Sequence, residues 1–434
     1  MNAAAVAKPR RPPGSSRAIW SWALFDFANS PFTTLVVTFV YATYFTQAIA
    51  ADPISGTELW SRAVAITALI VAIASPVLGA IADRGGYRKV FFVVTVVVCI
   101  VATVVLYLPV PGQVMFALCV FVVANVAFEA CEVFYNAFLP DLAPAERVGF
   151  VSGLGWGLGY IGGLLALVVA LVALIQPEVP WFGFSKQLGE NIRATNLVVA
   201  VWFAVFTVPM LLWVKEDKSR VTRDGNVVRA SFAQLARTFK ELRKHRQTLR
   251  FLIARLLFND GLVTVFAFGG IYAAETFGFT LQQVLVFGIV INLTAGIGAF
   301  AMGYLDDLIG GKLTIMLSLV GLTGATLLAT LATSAAAFWV AGILIGIFAG
   351  PNQSASRSLM ARFVPHDMEN EFFGFFAFSG KLTAFLGPFL LGVLTAWSGS
   401  QRVGVSAVIA LFLAGMAVLL TVDEREGSQV RSGG

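Results

Sequence analysis

Apolar residues run along this chain in long blocks, at 19–45, 61–82, 90–109, 114–139, 148–175, 194–214, 249–273, 281–304, 313–333, 335–361, 371–396 and 402–421. Each block is long enough to cross about 30 Å of hydrocarbon at about 1.5 Å per residue. The division near residue 334 is faint, because TSAAAF barely interrupts the run. The pattern predicts an all-α integral membrane protein of twelve transmembrane helices. Its expected sections are a tail (1–18), a six-helix bundle (19–214), a linker (215–248), a second six-helix bundle (249–421) and a closing tail (422–434).

Composition agrees with a lipid solvent. The chain of 434 residues is 58% hydrophobic and 12% charged, where a soluble protein is about half apolar and about a quarter charged. Cys99, Cys119 and Cys131 lie inside apolar blocks without metal-ligand spacing and read as packing residues. His245 and His366, the only histidines, sit in connectors. No metal site, no cofactor and no enzyme chemistry are expected. The opening MNAAAVAKPRRPPGSSR is basic and rich in Pro, and the block after it is long enough to span, which does not suit a cleaved signal peptide.

Charge orients the helices. Basic residues gather in alternate connectors, at Lys8, Arg10, Arg11 and Arg17, at Arg84, Arg88 and Lys89, at Arg147, and through 215–248. By the positive-inside rule both termini are expected in the cytoplasm. Residues 215–250 hold eleven Lys or Arg against four acids. Within them Phe232, Leu235, Ala236, Phe239 and Leu242 recur at helical spacing, which predicts a basic amphipathic helix on the membrane surface. The net charge of +6 is thereby assigned to membrane-facing loops, with no nucleic acid partner expected.

The second half repeats the first. GAIADRGGYRK (79–89) and GYLDDLIGGK (303–312) share Gly79/Gly303, Asp83/Asp307, Gly86/Gly310 and Arg88/Lys312 at an offset of 224. Pro140/Pro365, Gly149/Gly374, Phe150/Phe375, Gly155/Gly380 and Gly162/Gly387 coincide at 225, and LFD (24–26) matches LFN (257–259) at 233. An even number of helices per half makes the repeat parallel. It implies two bundles about an axis along the membrane normal, with a polar cavity between them that rocking exposes to each side in turn.

On these residues the sequence resembles the major facilitator superfamily. The 79–89 stretch is similar to its cytoplasmic loop signature. WALFDFANSPF (22–32), YNAFLPDL (135–142), GYIGG (159–163), FNDG (258–261), SRSLMARFVP (356–365) and FFGFFAFSGK (372–381) resemble one branch, the autophagy-associated vacuolar amino-acid effluxers and their bacterial relatives. The resemblance implies amino-acid export from a degradative compartment in fungi and a small-solute facilitator in bacteria. Two departures weaken a drug–proton antiporter: FEACEVFYN (128–136) lacks an Arg-x-x-Gln-Gly pattern, and Tyr160 stands where many antiporters have Pro.

Intramembrane polar residues are costly, so each is a candidate. Asp26, Asn29, Ser30 and Thr33 share one face of the first helix, beside Pro31, which frees a carbonyl. Asp26 is either a carboxylate that handles a proton or a substrate amine, or a structural partner for a neighbouring helix. Asn125, Glu129, Glu132 and Asn136 form a stripe on the fourth helix. Two acids at that spacing repel when both ionise, so they either carry a proton, hold an ammonium, or are neutralised by a base. Position 132 maps onto Arg357, which either binds a substrate carboxylate or locks a gate against an acid. Lys381 offers a second base, and Asn259 and Asp260 mirror Asp26. Asp83, Arg84, Arg88, Lys89, Asp307 and Lys312 are expected to work the cytoplasmic gate; simple anchoring explains the bases but not the repeated Asp. GFFAFSGKL (374–382) has the wrong spacing for a phosphate loop.

The expected function is secondary active transport of small polar solutes, amino acids first, with proton coupling through Asp26 or the Glu129/Glu132 pair. The alternatives are a proton–drug antiporter and a non-transporting solute sensor. Expected partners are the lipid bilayer, a small-molecule solute and protons, with the chain a monomer. Abundant Ala, Val, Gly and Arg favour a bacterial plasma membrane; a eukaryotic source would imply a vacuolar or lysosomal one.

Overall fold

The computed structural model describes residues 14–216, 227–241, 245–366 and 368–432. Residues 1–13, 217–226 and 242–244, with Leu242 of the amphipathic pattern, lie outside the described residues, as do the side chains of Ala236 and Phe239. Twelve helices among the described residues are long and apolar enough to span a membrane. The first bundle comprises α1 (Ser16–Ile49), α2 (Pro53–Gly85), α3 (Arg88–Val105), α4 (Val114–Leu142), α5 (Ala145–Ile175) and α6 (Gln187–Trp213). The linker holds α7 (Val227–Glu241). The second bundle comprises α8 (Arg246–Phe277), α9 (Val286–Ile309), α10 (Gly311–Leu331), α11 (Ala335–Phe363), α12 (Glu369–Ser398) and α13 (Gln401–Leu420). Beyond it the expected tail carries a short helix, α14 (Glu424–Ser432).

Local chemistry sets the ends and the irregularities. α2 starts eight residues before its apolar block because Asp52 accepts from the amides of Ile54 and Ser55, both at 3.0 Å, and Pro53 takes the first position. It stops at Gly86, whose φ of 62° closes the helix in the left-handed region. The faint division near 334 is real: Ser334 caps α11 by accepting from Ala337 N at 3.3 Å. In α1, Pro31 has no N–H to give to the Phe27 carbonyl, and Trp202 Nε1 of α6 donates to it instead at 3.0 Å. The ladder beyond Pro31 slips into π-helical turns at Phe32–Phe39 and Phe45–Ile49. α12 is broken: Glu369–Lys381 and Leu386–Ser398 are helical, with a turn at 382–385 between them.

Across the bundles α5 packs on α9 and α11, while α2 and α4 pack on α12. Small residues permit the approach. A Cβ on Gly153 would lie 3.0 Å from Gly303 Cα, and one on Gly374 would lie 2.6 Å from the Ser75 carbonyl oxygen. Both described ends lie at one membrane face. Gly14 N donates to Leu142 O at 3.0 Å, and Glu424 accepts from the amides of Gly311 and Lys312, both at 2.9 Å. This is called the terminal face below, and the opposite one the far face.

Candidate functional site

The carboxylate in LFDFANSPF meets the second bundle. Asp26 Oδ2 accepts from Arg357 Nη2 of α11 at 2.9 Å, and both residues are buried. The guanidinium also donates to Ser152 Oγ at 3.0 Å, Ser152 O at 2.7 Å and Asn136 Oδ1 at 3.3 Å. It lies over the Trp22 ring at 4.8 Å and near the Tyr135 and Trp156 rings. This packing requires Gly155, since a Cβ there would sit 2.8 Å from Arg357 Nη2. The sequence repeat aligned Arg357 with Glu132, but the direct partner is Asp26. Glu132 instead accepts from Asn29 Nδ2 at 2.7 Å within the first bundle.

A second cross-bundle bridge is partly open. Lys381 Nζ donates to Glu129 Oε1 at 2.5 Å, with the two side chains 32% and 20% exposed. Lys381 is the last helical residue before the turn in α12, so the break positions it. Asn259 Nδ2 donates to Gly380 O at 3.1 Å on the same strand of chain. Arg255, one turn before Asn259, donates to Phe376 O at 2.7 Å and Ser379 Oγ at 2.9 Å and stacks on the Phe376 ring at 3.6 Å. Sequence reading passed over Arg255, although a base well inside 249–273 is itself a signal. Asn125 is buried near the middle of α4 and makes no side-chain hydrogen bond among the described residues. Asp260 is also buried, 1% exposed, and faces α12 within its own bundle rather than mirroring the cross-bundle contact of Asp26.

At the terminal face two aspartates cap helices of the opposite bundle. Asp83, at the end of α2, accepts from Asn370 N at 3.1 Å, Asn370 Nδ2 at 2.6 Å and Glu371 N at 2.8 Å, the first turn of α12. Asp307, at the end of α9, accepts from Gly149 N at 2.7 Å and Phe150 N at 2.8 Å near the start of α5. A carboxylate meets unpaired amides and the positive end of a helix dipole in each case. Arg88 ties Asp141 (2.8 Å) and, across the bundles, Glu369 (3.1 Å) to this knot. Arg362 bonds Asp306 at 2.5 Å and Asp307 at 3.3 Å, and Ser358 donates to Asp306. Neither Asp306 nor Arg362 was singled out from sequence.

Three basic residues differ from their expected gate contacts. Lys89 Nζ donates to the carbonyls of Leu211 and Val214 at 2.8 and 2.7 Å, closing the end of α6. Lys312 Nζ does the same to Leu420 and Val422 at 3.1 and 2.5 Å, closing α13. Both satisfy last-turn carbonyls inside their own bundle, the position a helix dipole favours for a cation. Arg84 Nε donates to Gln234 Oε1 of α7 at 2.7 Å, and Gln234 Nε2 donates on to Glu371 Oε2 at 2.7 Å. The linker helix therefore straps α2 to α12, with Ser231 Oγ donating to Ala80 O at 3.3 Å and Phe232 turned outward.

Beyond these contacts the bundles part. Among the described residues every cross-bundle hydrogen bond lies between the terminal face and mid-helix, the last being Tyr160 OH to Gln353 Oε1 at 2.6 Å and the Glu129–Lys381 bridge. Beyond Tyr160 a cavity of about 470 Å³ lies between α1 and α5 of the first bundle and α9 of the second. Ser30, Thr33, Thr34, Thr43 and Gln47 of α1, Trp156 and Tyr160 of α5 and Asn292 of α9 supply its polar and aromatic lining, and no charged side chain lines it. The geometry is that of two bundles joined at the terminal face, with a cavity beyond the joint between α1, α5 and α9.

Comparison with known proteins agrees with this architecture. Residues 59–431 match the sequence model of the family described as "Vacuole effluxer Atg22 like". The chain is 29% identical over 413 residues to the uncharacterized MFS-type transporter YxiO of Bacillus subtilis, covering 94% of this chain and 96% of that protein. It is 21% identical over 441 residues to autophagy-related protein 22 of Coccidioides immitis, covering 84% and 72%. Among solved structures it is similar to the proton:xylose symporter XylE (TM-score 0.72, 13% identity, 93% and 94% covered). It is also similar to the transporter FucP in the outward conformation (TM-score 0.73, 13% identity, 94% and 98% covered).

Proposed function

The chain belongs to the Vacuole effluxer Atg22 like family and is a multi-pass major facilitator transporter rather than an enzyme, and on that premise we propose that it moves small zwitterionic solutes, amino acids first, by alternating access. The observation that carries this reading is the partly exposed Glu129–Lys381 bridge, which joins α4 of the first bundle to the break in α12 of the second. A zwitterion has one group of each sign. Its ammonium can replace Lys381 at Glu129 while its carboxylate takes Lys381, with Asn259 and Arg255 near by. The exchange trades one ion pair for two and leaves neither charge unpaired. A neutral solute cannot do this.

By the distribution of Lys and Arg the terminal face is cytoplasmic, so the cavity opens to the outside of a bacterial plasma membrane or to the lumen of a vacuole. Proton coupling is assigned to Glu129 and Glu132, the two acids of the α4 stripe. Asp26 is fully engaged with Arg357 and reads as part of the closed-state seal. The chain acts as a monomer, with the bilayer around it. The apolar walls of the cavity favour one second reading, export of lipophilic cations in exchange for protons.

Uptake into proteoliposomes tests both readings. A panel of labelled amino acids, peptides, organic anions and lipophilic cations is offered with and without an imposed pH gradient. Accumulation of an amino acid by the wild type, reduced at least tenfold in Glu129→Gln and in Lys381→Gln at unchanged folded yield, is expected. Wild-type amino-acid uptake in both variants removes the bridge from the mechanism, and flux of lipophilic cations alone selects the antiporter.

A further inference from the structure

Asp260 stands apart from both cross-bundle bridges. It is 1% exposed, in the middle of α8, and no ion pair involves it among the described residues. The bases within α8 and α12 on either side of it are spoken for: Lys381 by Glu129, and Arg255 by Phe376 O and Ser379 Oγ. A carboxylate in such a place is stable only if something neutralises it.

A hydroxyl lies beside it. Thr383 is the neighbouring side chain that bears on the carboxylate, yet Asp260 Oδ2 and Thr383 Oγ1 are both buried atoms with no hydrogen-bond partner. Thr383 belongs to the turn that interrupts α12, where the helical ladder lapses. Leu386 N reaches back to Thr383 O at 2.7 Å and Leu382 N to Phe378 O at 2.9 Å, but the carbonyls of Leu382 and Ala384 receive no backbone N–H. Pro388, having no N–H, removes the donor that Ala384 O would otherwise have. On the next turn Gly387 lets α12 close on α8, since a Cβ there would come within 2.8 Å of Asp260 O and would collide with Thr264 Oγ1.

We propose that the broken turn of α12 and Asp260 form a sodium-ion site, in which the Asp260 carboxylate and the hydroxyl of Thr383 are ligands and unwound carbonyls of the turn complete the shell. Interrupted helices near the membrane midplane supply carbonyls to Na⁺ in this way, and irregular backbone is tolerated at that depth only where something satisfies it. A hard cation takes several oxygen ligands. A proton needs only one acceptor, and would leave the freed carbonyls of Leu382 and Ala384 unused. The site adjoins Lys381, the helical residue just before the turn, so an ion that orders the turn also sets the Glu129–Lys381 bridge. As a coupling site it rests on the transport reading above; as a binding site it does not.

The test uses the purified full chain without any solute. Melting temperature is measured in NaCl, KCl and choline chloride at equal ionic strength, with ²²Na⁺ binding measured in parallel. Saturable, Na⁺-selective stabilisation of the wild type is expected. It should be lost in Asp260→Asn, with affinity weakened about tenfold or more in Thr383→Val, roughly 1.4 kcal/mol. Should Asp260→Asn fail to fold, the Thr383→Val titration alone decides, since that variant removes a ligand but no charge. Equal melting in all three salts overturns the site, as does Na⁺ binding unchanged in both variants. Stabilisation by acid with no response to Na⁺ overturns it in favour of a proton-binding carboxylate. Because no solute is present, Na⁺ binding stands even if the uptake panel fails, and its absence is informative even if the panel succeeds.

Discussion

At Arg357 a guanidinium 3% exposed is shared between one carboxylate, one hydroxyl, one carbonyl and one side-chain amide, with three aromatic rings around it. All three nitrogens of its fork donate, four bonds in all, which Lys could not reproduce. Removing only the anion leaves a buried cation uncompensated, at a cost of about 3–5 kcal/mol. Asp26→Asn is therefore expected to lower the melting temperature of the purified protein markedly, and Asp26→Asn/Arg357→Met to recover much of the loss. Equal stability of Asp26→Asn and wild type would mean that the pair is not formed in the resting state. Asp26 and Arg357 were both visible in the sequence as costly intramembrane charges. Their pairing was not, because they lie 331 residues apart and the repeat aligned Arg357 with Glu132. Which neighbour a side chain meets depends on helix rotation, and α1 changes rotation at its π-helical turns.

Among the elements, α2, α5, α9 and α12 form the terminal seal, and each is joined to its partner through backbone. Asp83 and Asp307 hold amides of α12 and α5, and glycines bring the helices close enough for this. At the α2–α12 crossing a Cβ on Gly374 would meet the carbonyl of Ser75 and Pro76 Cα at 2.6 and 2.7 Å, neither of which can rotate away. Gly374→Val is thus expected to hold the seal open, so that cysteines placed on the buried flank of α12 react with a water-soluble thiol reagent faster than in the wild type. Unchanged reactivity would show that the crossing tolerates separation. The repeated Asp of GAIADRGGYRK and GYLDDLIGGK was legible, because no anchoring role explains an acid there. The bases beside it misled, since Lys89 and Lys312 cap α6 and α13, elements that the motif does not contain. The break in α12 was harder to see: LTAF (382–385) is as apolar as the helix on either side, and only Pro388 just beyond it marks the place.

For the whole molecule, the apolar blocks and the repeat were enough to read two six-helix bundles, because lipid forces each span to be long and continuous. The state of the molecule was not readable from them. All cross-bundle hydrogen bonds among the described residues lie on the terminal side of Tyr160–Gln353, and the chamber lies beyond it. If the bundles rock as rigid bodies, weakening the seal must close the chamber. Asp83→Asn removes a carboxylate cap that exists only while the terminal face is shut, a loss of about 0.5–2 kcal/mol, or roughly a twofold to thirtyfold shift in population. The measurement is of two distances in that variant and in the wild type, by paired spin labels at Tyr87 and Leu308 on the terminal face and at Ile54 and Trp397 on the far face, all exposed positions. Rocking requires the first distribution to gain a longer component and the second to gain a shorter one in matching proportion. A terminal face that loosens while the far face keeps its wild-type distances would contradict alternating access by these two bundles.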